Sequence, residues 1–297
     1  MAVATPTVGS TTVSVARRQG TWAQVWLRFR RNRAAMIGLG FILLEVVVAI
    51  LAPWIVPYNP YSGDYTATWQ LPNSKYWLGT DDLGRDVLSR LIYGTRVSLG
   101  VGVLSQLIIV LIGVPIGALA GLLGGWVDYI IMRIVDVLSA LPGMLLYILI
   151  MIALGSGFLN IIIAMSVTGW IGIARLVRGQ VLSLKETDFV RAARAMGASQ
   201  RHIVFTHLIR NSLTPVIVSV SLGVPGAMFS EAGLSFLGLG ISPPTPSWGQ
   251  MIGLYQAYIQ PWWHLVVFPS ILLAVTMLAW ILVGDGLRDA LDPSLRL

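Results

Sequence analysis

No cysteine occurs in the 297 residues, which excludes disulfides, thiolate metal ligands and a cysteine nucleophile. Charge is scarce as well: Asp, Glu, Lys and Arg together make up 11% of the chain, against 56% hydrophobic residues. Soluble domains mix the two far more evenly. Here the apolar residues come in long blocks, the pattern of a chain whose solvent is lipid. Lysine is almost missing. Lys75 follows Ser74 and Lys185 follows Leu184, so no Gly-Lys-Ser/Thr loop is present to hold nucleotide phosphates. Among the histidines, His202 and His207 lack the intervening glutamate arrangement of a metalloprotease, and His264 stands alone. The first two read as polar residues of a cytoplasmic surface rather than metal ligands. Nothing resembles a nucleophile elbow. The chain is therefore expected to carry no metal, no cofactor and no catalysis of its own.

What is abundant is apolar sequence in lengths that fit a bilayer, about 20 residues each. Six segments qualify: Met36–Pro57, Val97–Leu123, Ile130–Leu154, Phe158–Val177, Leu213–Leu237 and His264–Gly286. Each is expected to be a helix, because a segment in lipid must satisfy its own backbone hydrogen bonds. Gly155, Ser156 and Gly157 make a tight turn between the third and fourth. The net charge of +7 does not indicate nucleic acid, since the arginines flank the apolar blocks. With the N-terminus inside, 16 basic residues fall on that side and 4 on the other, so both termini are expected in the cytoplasm. Trp22 and Trp26 then lie near the inner surface, and Trp54, Tyr58, Tyr61, Trp262 and Trp263 near the outer one. Residues 1–35 read as a tail and inner-interface segment, 36–57 as the first span and 58–96 as an external loop. Residues 97–286 read as a five-helix core, and 287–297 as a cytoplasmic tail. The start of the chain, without an apolar core or cleavage site, reads as a disordered tail rather than a signal peptide.

Polar residues inside the spans are few. Glu45 sits mid-way along the first span and reads as a protonated or helix-paired residue rather than part of a relay. Arg133 and Asp136 are at helical spacing and are expected to pair. Glu231 lies among small residues, Gly226, Ala227, Ser230, Ala232 and Gly233, which permit close helix approach. Two readings stay open for Glu231, Ser230 and Pro142: lining a pathway, or locking helices together. In the external run, Arg85 is expected to pair with Asp81 or Asp82, and Asp86 with Arg90, as a self-paired helix that braces the outer face. Contact with a binding partner is the alternative for Asp82, Arg85, Asp86 and Arg90.

The cytoplasmic loop, residues 178–212, contains DFVRAARAMGASQRHIVFTHLIRN from Asp188 to Asn211. Ala192, Ala193 and Ala195 make a narrow helical surface and Gly197 permits a sharp turn, the form of a short helix that slots into another protein's groove. This loop resembles the coupling loop of binding-protein-dependent ABC permeases, whose pattern begins Glu-Ala-Ala and reaches Gly after three residues. Arg191 stands at the glutamate, while Ala192, Ala193 and Gly197 match. Arg210 stands where the pattern has proline. LGTDDLGRDVLSRLIYGTRVSLGVG, FRRNRAAMIGLGFILL, SALPGMLLYILI, EAGLSFLGLGISPPTPSWGQMI and GDGLRDALDPSLR are similar to the C-type subunit of dipeptide and oligopeptide permeases.

The resemblance implies an all-α membrane protein with the type I ABC importer transmembrane fold and six transmembrane helices. It implies a coupling loop of Asp188, Arg191, Ala192, Ala193, Met196, Gly197 and Ala198. It also implies partners: a second homologous permease, two ATPase subunits that hold ATP and Mg, an extracytoplasmic substrate-binding protein and a peptide substrate. The location implied is the cell membrane of a bacterium or archaeon. Nickel or another small solute is the alternative cargo. A stand-alone carrier would need more buried ionisable residues than Glu45 and Glu231, and a scaffold without transport would leave the loop unexplained.

Overall fold

The computed structural model describes residues 21–197 and 210–291. They form ten α-helices: α1 Thr21–Arg31, α2 Arg33–Ile55, α3 Val87–Leu123, α4 Gly125–Ser139, α5 Gly143–Leu154, α6 Phe158–Lys185, α7 Asp188–Ala195, α8 Arg210–Phe236, α9 Trp248–Tyr255 and α10 His264–Leu291. No strand occurs among the described residues. Five helices, α2, α3, α6, α8 and α10, are long and apolar enough to cross a membrane, and α4 with α5 makes a sixth crossing if the bent pair is one span.

Two expected boundaries move. Helix α3 begins at Val87, so the last ten residues assigned to the 58–96 loop are helical. The reason is a cap: the Asp86 carboxylate accepts hydrogen bonds from the Ser89 backbone N–H at 2.8 Å and its hydroxyl at 2.6 Å. The third segment, expected as one helix over Ile130–Leu154, is broken, with α4 and α5 meeting at 84°. Pro142 supplies no amide donor and disfavours helical backbone at Leu141, and Gly143 restarts the helix. The start of α2 is likewise local. Asn32 accepts from the Ala35 N–H at 3.1 Å, separating α2 from the amphipathic α1.

Lipid offers no hydrophobic drive for helices to associate, so packing depends on close approach. Along α3, Gly113, Gly117 and Gly121 recur every four residues against α6. A methyl group at Gly113 or Gly121 would stand 2.8 or 2.9 Å from the Cβ of Ile173 or Val181. Outward, α2 and α3 expose Leu44, Ile50 and Leu111, as a lipid-facing surface requires. At one end of the bundle the core gathers Trp248, Val87, Leu91, Met251 and Leu265. Ile173, Val177, Val181, Val190 and Val216 form a second core at the end that carries α7.

Candidate functional site

At the α7 end, Thr187 carbonyl oxygen accepts from the N–H groups of Val190 and Arg191 at 3.1 Å and starts the short helix. Val190 is fully buried in the valine core, which pins α7 to the end of α6. Asp188, Arg191, Ala192, Met196 and Gly197 are exposed. Arg191 donates to the Glu186 carboxylate at 3.1 Å, and Gly197 turns the chain with φ +82. Ala193 lies within α7, and Ala198 falls outside the described residues, as do His202 and His207. The surface offered is narrow and rimmed by charge.

Three cations tie α6 to its neighbours just before α7. Lys185 Nζ donates to the carbonyls of Gly121 and Leu122 at 3.0 and 2.8 Å, satisfying the last turn of α3. Arg178 grips Asp128 of α4 with two bonds, 2.5 and 2.6 Å. Arg175 donates to Asp136 at 2.9 Å. The expected Arg133–Asp136 pair is therefore replaced. Arg133 instead donates to the Tyr129 hydroxyl, one turn back, at 3.1 Å. The cross-helix partner wins because Arg175 reaches Asp136 from α6.

At the opposite end, the charged run folds as a turn over residues 79–86, before α3 begins, with Gly84 at φ +70. Arg85 Nε donates to Asp81 at 2.7 Å, and its Nη2 reaches Asp82 at 3.4 Å and the Tyr255 hydroxyl at 3.3 Å. Tyr255 in turn donates to Asp82. Burial, then the nearby Asp81 and Asp82, push the Tyr255 phenol far above its usual range, so it stays the donor. Arg90 is fully buried. Its guanidinium donates to the Pro60 and Pro244 carbonyls at 3.1 and 3.5 Å and to Gln250 at 3.2 Å, with Asp81 at 3.5 Å. Asp86 takes no part, being spent on the α3 cap. The expected Asp86–Arg90 pair is thus corrected, and so is the view of a self-paired exposed helix. The cluster clasps the 58–86 segment to the segment around α9.

Between these ends, Glu231 is almost fully buried and accepts from Ser235 and Ser247 at 2.8 Å each. Ser247 also caps α9 by accepting from the Gln250 N–H. Gly249 lies so close that a side chain there would overlap the Glu231 carboxylate. Glu231 therefore joins α8 to the start of α9. Its neighbour Ser230 faces a cavity of about 360 Å³ whose walls come from α3, α5, α6 and α8. Pro142 stands exposed at the α4–α5 break, away from that cavity. Glu45 is buried and accepts from the Thr276 hydroxyl of α10.

Several residues that build these sites were not singled out by sequence. Trp248 is fully buried and donates from its indole to the Leu91 carbonyl at 3.1 Å, and Gln250 and Tyr255 complete the clasp. Asp128 and Arg178 make the α4–α6 contact. Their partners lie 50 to 173 positions away in the chain, a separation that no periodicity reports.

Comparison with known proteins follows the same architecture. The family profile of binding-protein-dependent transport system inner membrane components matches residues 113–297, and that of the N-terminal TM domain of oligopeptide transport permease C matches residues 20–73. The dipeptide transport system permease protein DppC of Bacillus subtilis is 45% identical over 286 residues, covering 95% of this chain and 89% of that one. The oligopeptide transport system permease protein OppC of the same organism is 44% identical, covering 93% and 90%. The glutathione transport system permease protein GsiD of Pectobacterium atrosepticum is 42% identical, covering 93% and 92%. In fold, a chain of the inward-facing MetNI methionine ABC transporter superposes with a TM-score of 0.58 at 22% identity, over 69% of this chain and 97% of that chain. With its all-helical spans and α7 between α6 and α8, this multi-pass membrane permease belongs to the family of binding-protein-dependent transport system inner membrane components.

Proposed function

We propose that this chain is one of two membrane-spanning subunits of an ATP-driven importer for dipeptides and oligopeptides. A second homologous permease completes the pore, two ATPase subunits bind ATP and Mg beneath α7, and an extracytoplasmic binding protein delivers the peptide. Both termini and α7 face the cytoplasm of a bacterial or archaeal cell, an orientation supported by the distribution of basic residues. ATP hydrolysis belongs to the partners. The observation that carries this reading is the exposed α7, pinned by Val190 to the end of a 28-residue helix. Similarity to the dipeptide permease DppC and the oligopeptide permease OppC supports the cargo class.

In this mechanism the ATPase pair closes and displaces α7. Helix α6 carries the displacement into the bundle as a stiff rod, and its links to α3 and α4 share the movement with them. The ligand-free and nucleotide-bound states must contact α7 differently, since only differential contacts shift a conformational equilibrium. The test is reconstitution of all subunits in proteoliposomes with labelled dipeptides, oligopeptides and nickel. Uptake of peptide that requires both ATP and the binding protein is the expected result. ATP-dependent uptake of nickel without peptide would replace the cargo assignment. Uphill transport by this chain alone would overturn the whole reading.

A further inference from the structure

The cavity among α3, α5, α6 and α8 has an unusual lining. Gln106 of α3 is nine-tenths buried, yet its amide has no hydrogen-bond partner among the described residues. Tyr147 of α5 and Ser219 of α8 are half-buried and likewise unpartnered there. Other serines on α8 behave differently. Ser221 and Ser230 each return their hydroxyl to the carbonyl four residues back, at 3.0 and 2.8 Å. Three hydrogen-bonding side chains that open onto one cavity without a protein partner are free to bind what enters it. The volume, about 360 Å³, falls among small-molecule sites.

The chemistry of that ligand follows from what the walls offer. No residue lining the cavity is charged. Gln106 brings a donor and an acceptor, and the two hydroxyls can do either. Gly223 keeps Gln106 in place, because any side chain there would overlap its amide. Neutral groups of both polarities match an amide, which presents one N–H and one C=O, and supply no countercharge for an ion. Every peptide carries that group whatever its side chains.

Resting on the peptide-import reading, we propose that this cavity holds the main chain of the passing peptide, with Gln106, Tyr147 and Ser219 hydrogen-bonded to its amides. The lack of charge then lets acidic, basic and apolar side chains pass alike, and discrimination is left to the binding protein. Gln106 is a binding residue in this scheme, and Gly223 a positioning residue acting through it.

A charge placed in the cavity tests the proposal. Uptake of labelled Ala-Lys-Ala and Ala-Asp-Ala is measured for the complete complex with Gln106→Glu, and each ratio is divided by that of the unsubstituted complex to cancel binding-protein preference. The expected result is a shift of about tenfold in favour of the lysine peptide, as one added ion pair gives. Ser219→Asp, on another wall of the cavity, must shift the ratio in the same direction and guards against a misfolded first variant. An unchanged ratio in both variants, whether uptake is retained or falls equally for the two peptides, overturns the proposal while leaving peptide import intact. Failure of the unsubstituted complex to import either peptide overturns import and this inference together.

Discussion

Replacing Asp128 by asparagine cuts the charged grip between α4 and α6 while keeping the side chain's shape. At about 4 Å between charge centres and an effective dielectric of about 20, the attraction is about 4 kcal/mol. Arg178 and Asp128 side chains are 32% and 19% exposed, so solvent screening and desolvation remove most of it, leaving about 1–2 kcal/mol net. Asp128→Asn and Arg178→Gln should each lower stability by roughly 2 kcal/mol, because each strands a half-buried partner. Combined, they should cost little more than one alone, giving a coupling of about 1–2 kcal/mol in a double-mutant cycle. The assay is thermal unfolding of the purified complex in detergent, with ATP consumed per peptide imported as a second readout. That ratio should rise in both single variants, since α6 then moves without carrying α4. Strictly additive losses, to within about 0.5 kcal/mol, would show that the pair transmits nothing and would refute the argument.

Other substitutions probe the remaining features. Arg90→Met strands the Pro60 and Pro244 carbonyls and Gln250, and should cost roughly 3 kcal/mol, read as a fall in melting temperature. An unchanged melting point would mean that the clasp contributes no net stability. Gly117→Leu drives a side chain into the Ala174 backbone and should abolish recovery of folded protein, whereas Gly40→Ala on α2 meets nothing within 4 Å and should be neutral. Equal yields from these two would contradict the α3–α6 packing. Ala192→Arg on exposed α7 should leave the melting temperature unchanged and lower peptide uptake by about tenfold or more while ATP hydrolysis continues; normal uptake counts against docking through this helix.

Long apolar blocks made the spans readable because lipid imposes both length and composition on a crossing helix. The exposed face of α7 was readable too, from its alanines and Gly197. Other features rested on contacts that cross the chain. Arg90 finds Gln250 at a distance of 160 positions, whereas helical spacing points to Asp86 instead. Asp86 to Ser89 is a capping signal, but it lay next to charges that invited an ionic reading. The break at Pro142 was hidden by apolar residues on both sides, where composition alone looks continuous. Gln106 gave no signal at all. A lone glutamine in a long helix becomes informative only when the helices around it are in place and its amide is left without a partner.

The elbow between α4 and α5 has one more consequence. Twelve residues of α5 rise only ~18 Å, against a hydrocarbon slab of ~30 Å, and α4 meets it at 84° instead of continuing its line. Acyl chains that face α5 alone have a helix little more than half as long as the slab is thick. Along that flank the bilayer must either dimple toward Pro142 or abut a neighbouring protein of matching height.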